Sequence, residues 1–157
     1  MAEKKVSFPI TCLRGAGQVF FMENAFTGVM FFAAIAYASY ATGIWATTIG
    51  AVIGLIVATL TAQLLDCDKP SVNSGLFGFN GILVGVALPT FIAATPQLWF
   101  YIIIGSALST VITATFGATL TKSWGIPGST GPFVLTGWLM VAGAYSFGAL
   151  DVTGDAP

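Results

Sequence analysis

The sequence predicts an all-α integral membrane protein with about five transmembrane helices, a short re-entrant or interfacial helix near the N-terminus, and broken helices that line a pore. Three observations carry this. Only 11 of the 157 residues are charged, 5 Lys+Arg and 6 Asp+Glu, and there is no His. That is 7% charged, against about 25% in soluble domains, which is too few to cover a water-facing surface. Mean hydropathy is +0.90. Finally, the charges leave long gaps: residues 24–65, 70–121 and 123–150 carry none. One crossing needs about 20 apolar residues, so these gaps hold two, two and one spans. Long runs such as Gly50 to Leu60 do not alternate, which argues against a β-barrel.

Residues 1–9 read as a polar tail, residues 10–150 as a single membrane repeat, and residues 151–157 as a second polar tail. The basic start resembles a signal n-region, but its apolar stretch is short, contains Pro9 and stops at Arg14, so retention is expected. A short helix is expected from about Ile10 to Met22, interrupted by Arg14-Gly15-Ala16-Gly17-Gln18 and ending at Glu23-Asn24. Span 1 runs from about Phe26 to Tyr40, Ala41-Thr42-Gly43 turns, and span 2 covers Trp45 to Leu65. Asp66-Cys67-Asp68-Lys69-Pro70 is the most polar interior point, and Pro70 fits poorly inside a helix. The third segment, Gly75 to Gly85 continuing to Pro89, holds four glycines in eleven residues. Each costs a helix about 1 kcal/mol against Ala. Span 4 covers Leu98 to Leu120, an irregular stretch follows from Gly125 to Pro132, and span 5 runs from Phe133 to Leu150. Trp45, Trp99, Tyr101 and Trp124 fall near span ends, where such rings anchor at headgroups. Gly50 and Gly54 form a small-xxx-small pair suited to helix packing.

Three irregular patches at membrane depth, Gly15 to Asn24, Gly75 to Gly85 and Gly125 to Pro132, mark where chemistry could reside. Non-helical backbone survives there only if buried in protein or lining a watery cavity. The breaks are marked by Gly17, Gly78, Asn80, Gly81, Pro127 and Pro132, and each patch adds polar side chains: Gln18 and Asn24, then Asn80, then Ser129 and Thr130. Convergent broken helices are the usual sign of a solute site; kinks that merely serve packing are the alternative for each taken singly. No intramembrane carboxylate or His offers a proton relay. Amide, hydroxyl, carbonyl and Phe groups suit a small neutral polar solute. Gln18 and Phe21 are three apart, so a helix puts them on one face, while Phe79 adjoins Asn80 with Leu83 one turn along. Cys12 and Cys67 make no disulfide framework, and Asp66-Cys67-Asp68 without His is a weak metal motif. No nucleophile–base pair, metal cluster or cofactor motif points to an enzyme, and no basic cluster points to nucleic acid.

Leu13-Arg14-Gly15-Ala16-Gly17-Gln18-Val19-Phe20-Phe21 resembles the opening motif of the urea transporter family, Gly75 to Gly85 its most distinctive segment, and Ile126-Pro127-Gly128-Ser129-Thr130-Gly131-Pro132-Phe133 its proline-flanked threonine motif. The three occur in that order over nearly the whole chain, although Glu23-Asn24-Ala25 departs from the family's polar pair followed by proline. The resemblance implies a passive channel built from two homologous five-span halves of opposite orientation, and this chain matches one half. It implies that Phe21 and Phe79 wall a slot for planar urea, that Gln18 and Thr130 accept hydrogen bonds from its amides, and that Leu83 is an apolar pore-lining residue. Two such halves are expected to pair, as an antiparallel homodimer, with three pairs forming a trimer of pores, or with a separate oppositely oriented partner half. Lys4, Lys5, Arg14, Lys69 and Lys122 all fall on the N-terminal side of the span assignment, which by the positive-inside rule favours one orientation. A small dual-topology anion channel using Phe edges and Asn80, or a non-transporting assembly subunit in the membrane, are the rival readings. A prokaryotic inner membrane is the expected location, with lipid as the surrounding partner.

Overall fold

The computed structural model describes residues 6–146, 148 and 150–153. Among the described residues eight helices follow one another: α1 (Phe8–Gly17), α2 (Ala25–Thr42), α3 (Trp45–Leu64), α4 (Lys69–Asn73), α5 (Gly78–Phe91), α6 (Pro96–Phe116), α7 (Lys122–Trp124) and α8 (Gly131–Ser146). Five of them, α2, α3, α5, α6 and α8, alternate in direction. Contacts set the register. Thr48 donates to the Ser39 hydroxyl at 2.7 Å across the α2–α3 turn. Gly50 and Gly54 of α3 lie against Gly85 and Gly81 of α5. Asn80 of α5 reaches Thr113 of α6, and the Tyr101 hydroxyl of α6 donates to the Met140 carbonyl of α8 at 2.6 Å. The end that begins α2, α5 and α8 and closes α3 and α6 is the polar end of the molecule.

Three helical stretches have the length and composition to cross a membrane: Ala25–Thr42, Trp45–Leu64 and Pro96–Trp124. The fold is thus that of an all-α membrane protein, with two of its five alternating helices short. With 14 and 16 residues, α5 and α8 reach only about 21 and 24 Å at 1.5 Å per residue, less than the hydrocarbon layer of about 30 Å. Both start at the polar end from non-helical backbone, so the expected broken helices are present.

Several boundaries differ from the sequence reading. The first helix takes in Phe8 and Pro9, with the proline in its opening turn, and stops at Gly17. A 3₁₀ turn, Gln18–Phe20, completes it. Pro70 does lie in a helix, α4, but in its first turn, where a missing N–H costs nothing. Pro96 likewise opens α6, and Pro89 falls within the last turn of α5. Span 4 continues beyond Phe116 through a π turn, Gly117–Thr121, into α7. Span 5 begins two residues early, at Gly131; its expected end beyond Ser146 runs into residues 147 and 149, which lie outside the described residues. So do residues 1–5 and 154–157 of the two expected tails. The remainder of the second tail is not free: Ala93 N–H donates to Asp151 and Thr153 N–H to Phe91, both at 2.8 Å. This ties the chain after α8 to the turn between α5 and α6.

The α3–α5 contact is the most extensive between helices among the described residues. A Cβ on Gly50, Gly54, Gly81 or Gly85 would collide with the opposite helix backbone, so the two axes approach as only glycine permits. Below this seam Val84, Leu88, Ile92, Leu98, Ile102, Met140 and Ala144 form one apolar core. Cys12, Ala16, Ile35, Ala51, Leu55 and Ile82 form another that seats α1.

Candidate functional site

At the polar end, the breaks before α5 and α8, the turn after α1 and the π turn after α6 border a cavity of about 300 Å³ that is open on one side. At about 30 Å³ per water this is room for roughly ten waters, or a small solute with part of its shell. Gln18, Phe21, Phe79, Pro127 and Pro132 of the sequence-predicted set line it, and no charged side chain does among the described lining residues.

Each lining group is held by local structure. Gly17 permits the turn: a Cβ there would stand 2.6 Å from the carbonyl oxygens of Met22 and Asn24. Gln18 follows, and its Nε2 donates to the Ser74 carbonyl at 3.0 Å. Because that carbonyl is only an acceptor, the amide oxygen is the end left over, and it has no donor among the described residues. Phe21 takes a left-handed backbone, φ 57°, closed by its N–H on the Gln18 carbonyl at 2.8 Å. A non-glycine residue there costs about 1–2 kcal/mol, and its ring stays 75% exposed at the cavity edge. Ser129, also lining the cavity, has φ 44°. Two strained residues on one cavity are the pattern of a site in which geometry is imposed from outside. Phe79, by contrast, is buried in the wall.

Asn80 is fully buried and holds the site together. Its Nδ2 donates to the Thr113 hydroxyl at 3.2 Å and the Ser129 carbonyl at 3.3 Å. Its Oδ1 accepts the Phe133 N–H at 3.2 Å, one of the first-turn donors that an isolated α8 would leave orphaned. Asn80 thereby caps α8 from α5. Gly78 and Gly81 stand behind it: a Cβ on Gly78 would meet Leu55 at 2.7 Å, and one on Gly81 would strike Ala58 and the Gly54 carbonyl. Asn24, grouped with Gln18 in the sequence reading, caps α2 by accepting from Phe26 N–H at 2.8 Å. Arg14 is paired with Glu23 at 2.8 Å and also donates to the Asn73 carbonyl at 3.1 Å, bracing the turn outside the cavity.

Two members of the predicted set stand apart from the cavity wall. Leu83 is half-buried against the core that seats α1, and Thr130 is exposed beside Ser129. Ser71, Leu76, Phe77, Thr113, Gly117 and Thr121 line the cavity without having been singled out. The π turn that presents Gly117 and Thr121 carries no periodic signal, since it extends an apolar span by a wider coil. Such turns concentrate at functional sites, and a glycine followed by Thr119 and Thr121 at the span's end was the available hint. Ser71 is placed by Asp68, whose carboxylate accepts from both its N–H and its hydroxyl. Those bonds hold the Asp68 carboxyl below the usual carboxylate range.

In an all-α membrane protein, broken helices that end at an uncharged, aromatic-walled cavity are the architecture on which solute sites are built. The comparisons name the family: the urea transporter family model matches residues 10–157, and the chain belongs to that family. Among its relatives, urea transporter 1 of Rattus norvegicus is 33% identical over 138 residues, covering 85% of this chain and 35% of that protein. Urea transporter 1 of Mus musculus is 32% identical over 139 residues and that of Capra hircus 30%, each with the same coverage. The chain therefore spans about a third of the length of the curated relatives it matches.

Proposed function

We propose that this chain supplies one wall of a passive pore for urea or a close small neutral amide, completed by a second unit of opposite orientation. The observation that carries the reading is the one-sided cavity, in which Phe21, 75% exposed, stands at the open edge and Gln18 is part of the wall. Urea offers four N–H donors and one carbonyl. Gln18 Oε1 and the carbonyls freed at the helix breaks would replace part of its water shell, while Phe21 and Phe79 would flank its flat face. Thr130 and Leu83, off the wall of the single unit, would meet the path where the second unit closes it. An ion would lose hydration here with no countercharge, at a cost of many kcal/mol.

The second unit is taken to be an antiparallel copy. An odd number of alternating helices puts the two ends of the repeat on opposite faces, so an inverted partner restores equal surroundings to both mouths. Three such pairs around an axis, or a separate inverted half, are the other assemblies of the same kind, and a prokaryotic inner membrane is the proposed setting. Flux into proteoliposomes after a urea gradient, followed by light scattering, tests the activity. Swelling faster than in empty vesicles is expected, and an unchanged rate with folded protein present contradicts the reading. Thr130→Val removes only a hydroxyl and is expected to slow urea while the assembly elutes unchanged; flux at the unmutated rate would take Thr130 out of the path.

A further inference from the structure

The hydroxyls around the cavity are not equivalent, and their hydrogen bonds give the cavity a polarity. Ser71 donates its hydroxyl proton to Asp68 Oδ2 at 2.7 Å. Thr121 donates to the Ile126 carbonyl at 3.0 Å, and Thr113 to the Ser109 carbonyl at 2.7 Å. Thr113 also accepts from Asn80, which occupies one of its two lone pairs, whereas the oxygens of Ser71 and Thr121 keep both and take no donor among the described residues. Polarised by donation, the more so into a carboxylate, each is a better acceptor than a free hydroxyl. Ser129 is the reverse case. Its carbonyl is engaged by Asn80, but its hydroxyl has no partner among the described residues, and it lines the cavity from a backbone at φ 44°. The lining side chains therefore offer several committed acceptors and one free donor.

We infer that Ser129 donates to the carbonyl oxygen of the solute while Ser71 and Thr121, with the Gln18 amide oxygen, accept its N–H groups. This rests on the transport reading above and assigns its specificity: the matching solute class is a neutral amide with one good acceptor and several N–H donors. A solute rich in acceptors but poor in donors finds only one partner. The left-handed backbone at Ser129 acquires a purpose on this view, since it turns the hydroxyl to the cavity while the carbonyl stays with Asn80.

Thiourea keeps all four N–H donors but replaces the carbonyl oxygen with sulfur, a weak acceptor, so urea and thiourea fluxes separate the two halves of the assignment. Ser129→Gly removes the hydroxyl and relieves the positive φ, so a folding defect is not its expected outcome, and melting in detergent checks this. The variant should lose about fivefold in urea flux, the equivalent of one hydrogen bond, with thiourea flux little changed. Thr121→Val should lower both fluxes in the same proportion. An equal loss of both solutes in Ser129→Gly, or no loss of either, overturns the assignment while unmutated urea flux leaves the transport reading standing. Absence of urea flux in the unmutated protein removes the transport reading itself.

Discussion

Asn80 and Thr130 mark two kinds of residue that one sequence motif does not separate. Asn80 satisfies three partners on two other segments from a fully buried position, so its polarity serves the architecture. Asn80→Leu keeps the volume and strands the Phe133 N–H and the Ser129 carbonyl. A loss of about 3 kcal/mol in stability is expected, read as a lower melting temperature in detergent. Stability equal to the unmutated chain would show that water replaces all three bonds. Thr130 sits exposed at the start of α8, its carbonyl taken by Val134 N–H at 3.0 Å. Its side chain therefore has little to do with the stability of one unit, which is why its substitution is expected to touch flux alone. Gln18 lies between the two cases, with one end of its amide fixed on Ser74 and the other without a donor among the described residues.

The elements that matter most are those the apolar pattern describes least well. The long gaps between charges made α2, α3 and α6 legible, because a run of apolar residues encodes a membrane-crossing helix by length alone. Gly50 and Gly54 were legible as a packing pair, though not their partners: that Gly81 and Gly85 face them depends on the antiparallel register of α5. Gly54→Ala should cost about 2–3 kcal/mol by overpacking this seam. Gly117→Ala, whose added Cβ would meet nothing within 4 Å beyond its own helix backbone and chain neighbours, should melt no lower than the unmutated protein and gain up to about 1 kcal/mol. Similar melting for both would mean the seam is looser than described. The π turn and α4 were not legible, since one is a change of coil within an apolar run and the other a five-residue helix opened by proline. Asp68 caps α4 and has its carboxyl held low by Ser71. Its folded pKa lies below its unfolded one, so the stabilisation is present above the ordinary carboxylate range and lost as pH falls through the lowered value. A fall in the protection of the Ser71 amide relative to its intrinsic exchange rate on acidification through that window, absent in Asp68→Asn, is the expected sign.

At the scale of the whole molecule, most of the charged residues among those described lie at the same end as the cavity. Arg14, Glu23, Asp66, Asp68, Lys69 and Lys122 gather about the mouth, while Asp151 pairs its backbone with the opposite turn. In a single orientation this asymmetry obeys the positive-inside rule; in an antiparallel pair each membrane face receives one such mouth. Lys122→Cys, placed beside the cavity in a chain carrying Cys67→Ser, reads the arrangement: an impermeant thiol reagent should label half from each side of sealed vesicles. Labelling from one side only would replace the antiparallel copy with a different inverted partner. The sequence motifs fall on the cavity because backbone that leaves the helix inside a membrane must use glycine, proline and short polar residues, whereas the proposed second unit leaves no signal in these motifs. The most direct measurement is therefore the passage of urea itself, by light scattering of proteoliposomes holding the purified chain, with bilayer conductance recorded beside it. Urea entry faster than in protein-free vesicles and no ionic current are expected; entry at the protein-free rate with folded protein, or a current carried by chloride, would contradict a urea pore.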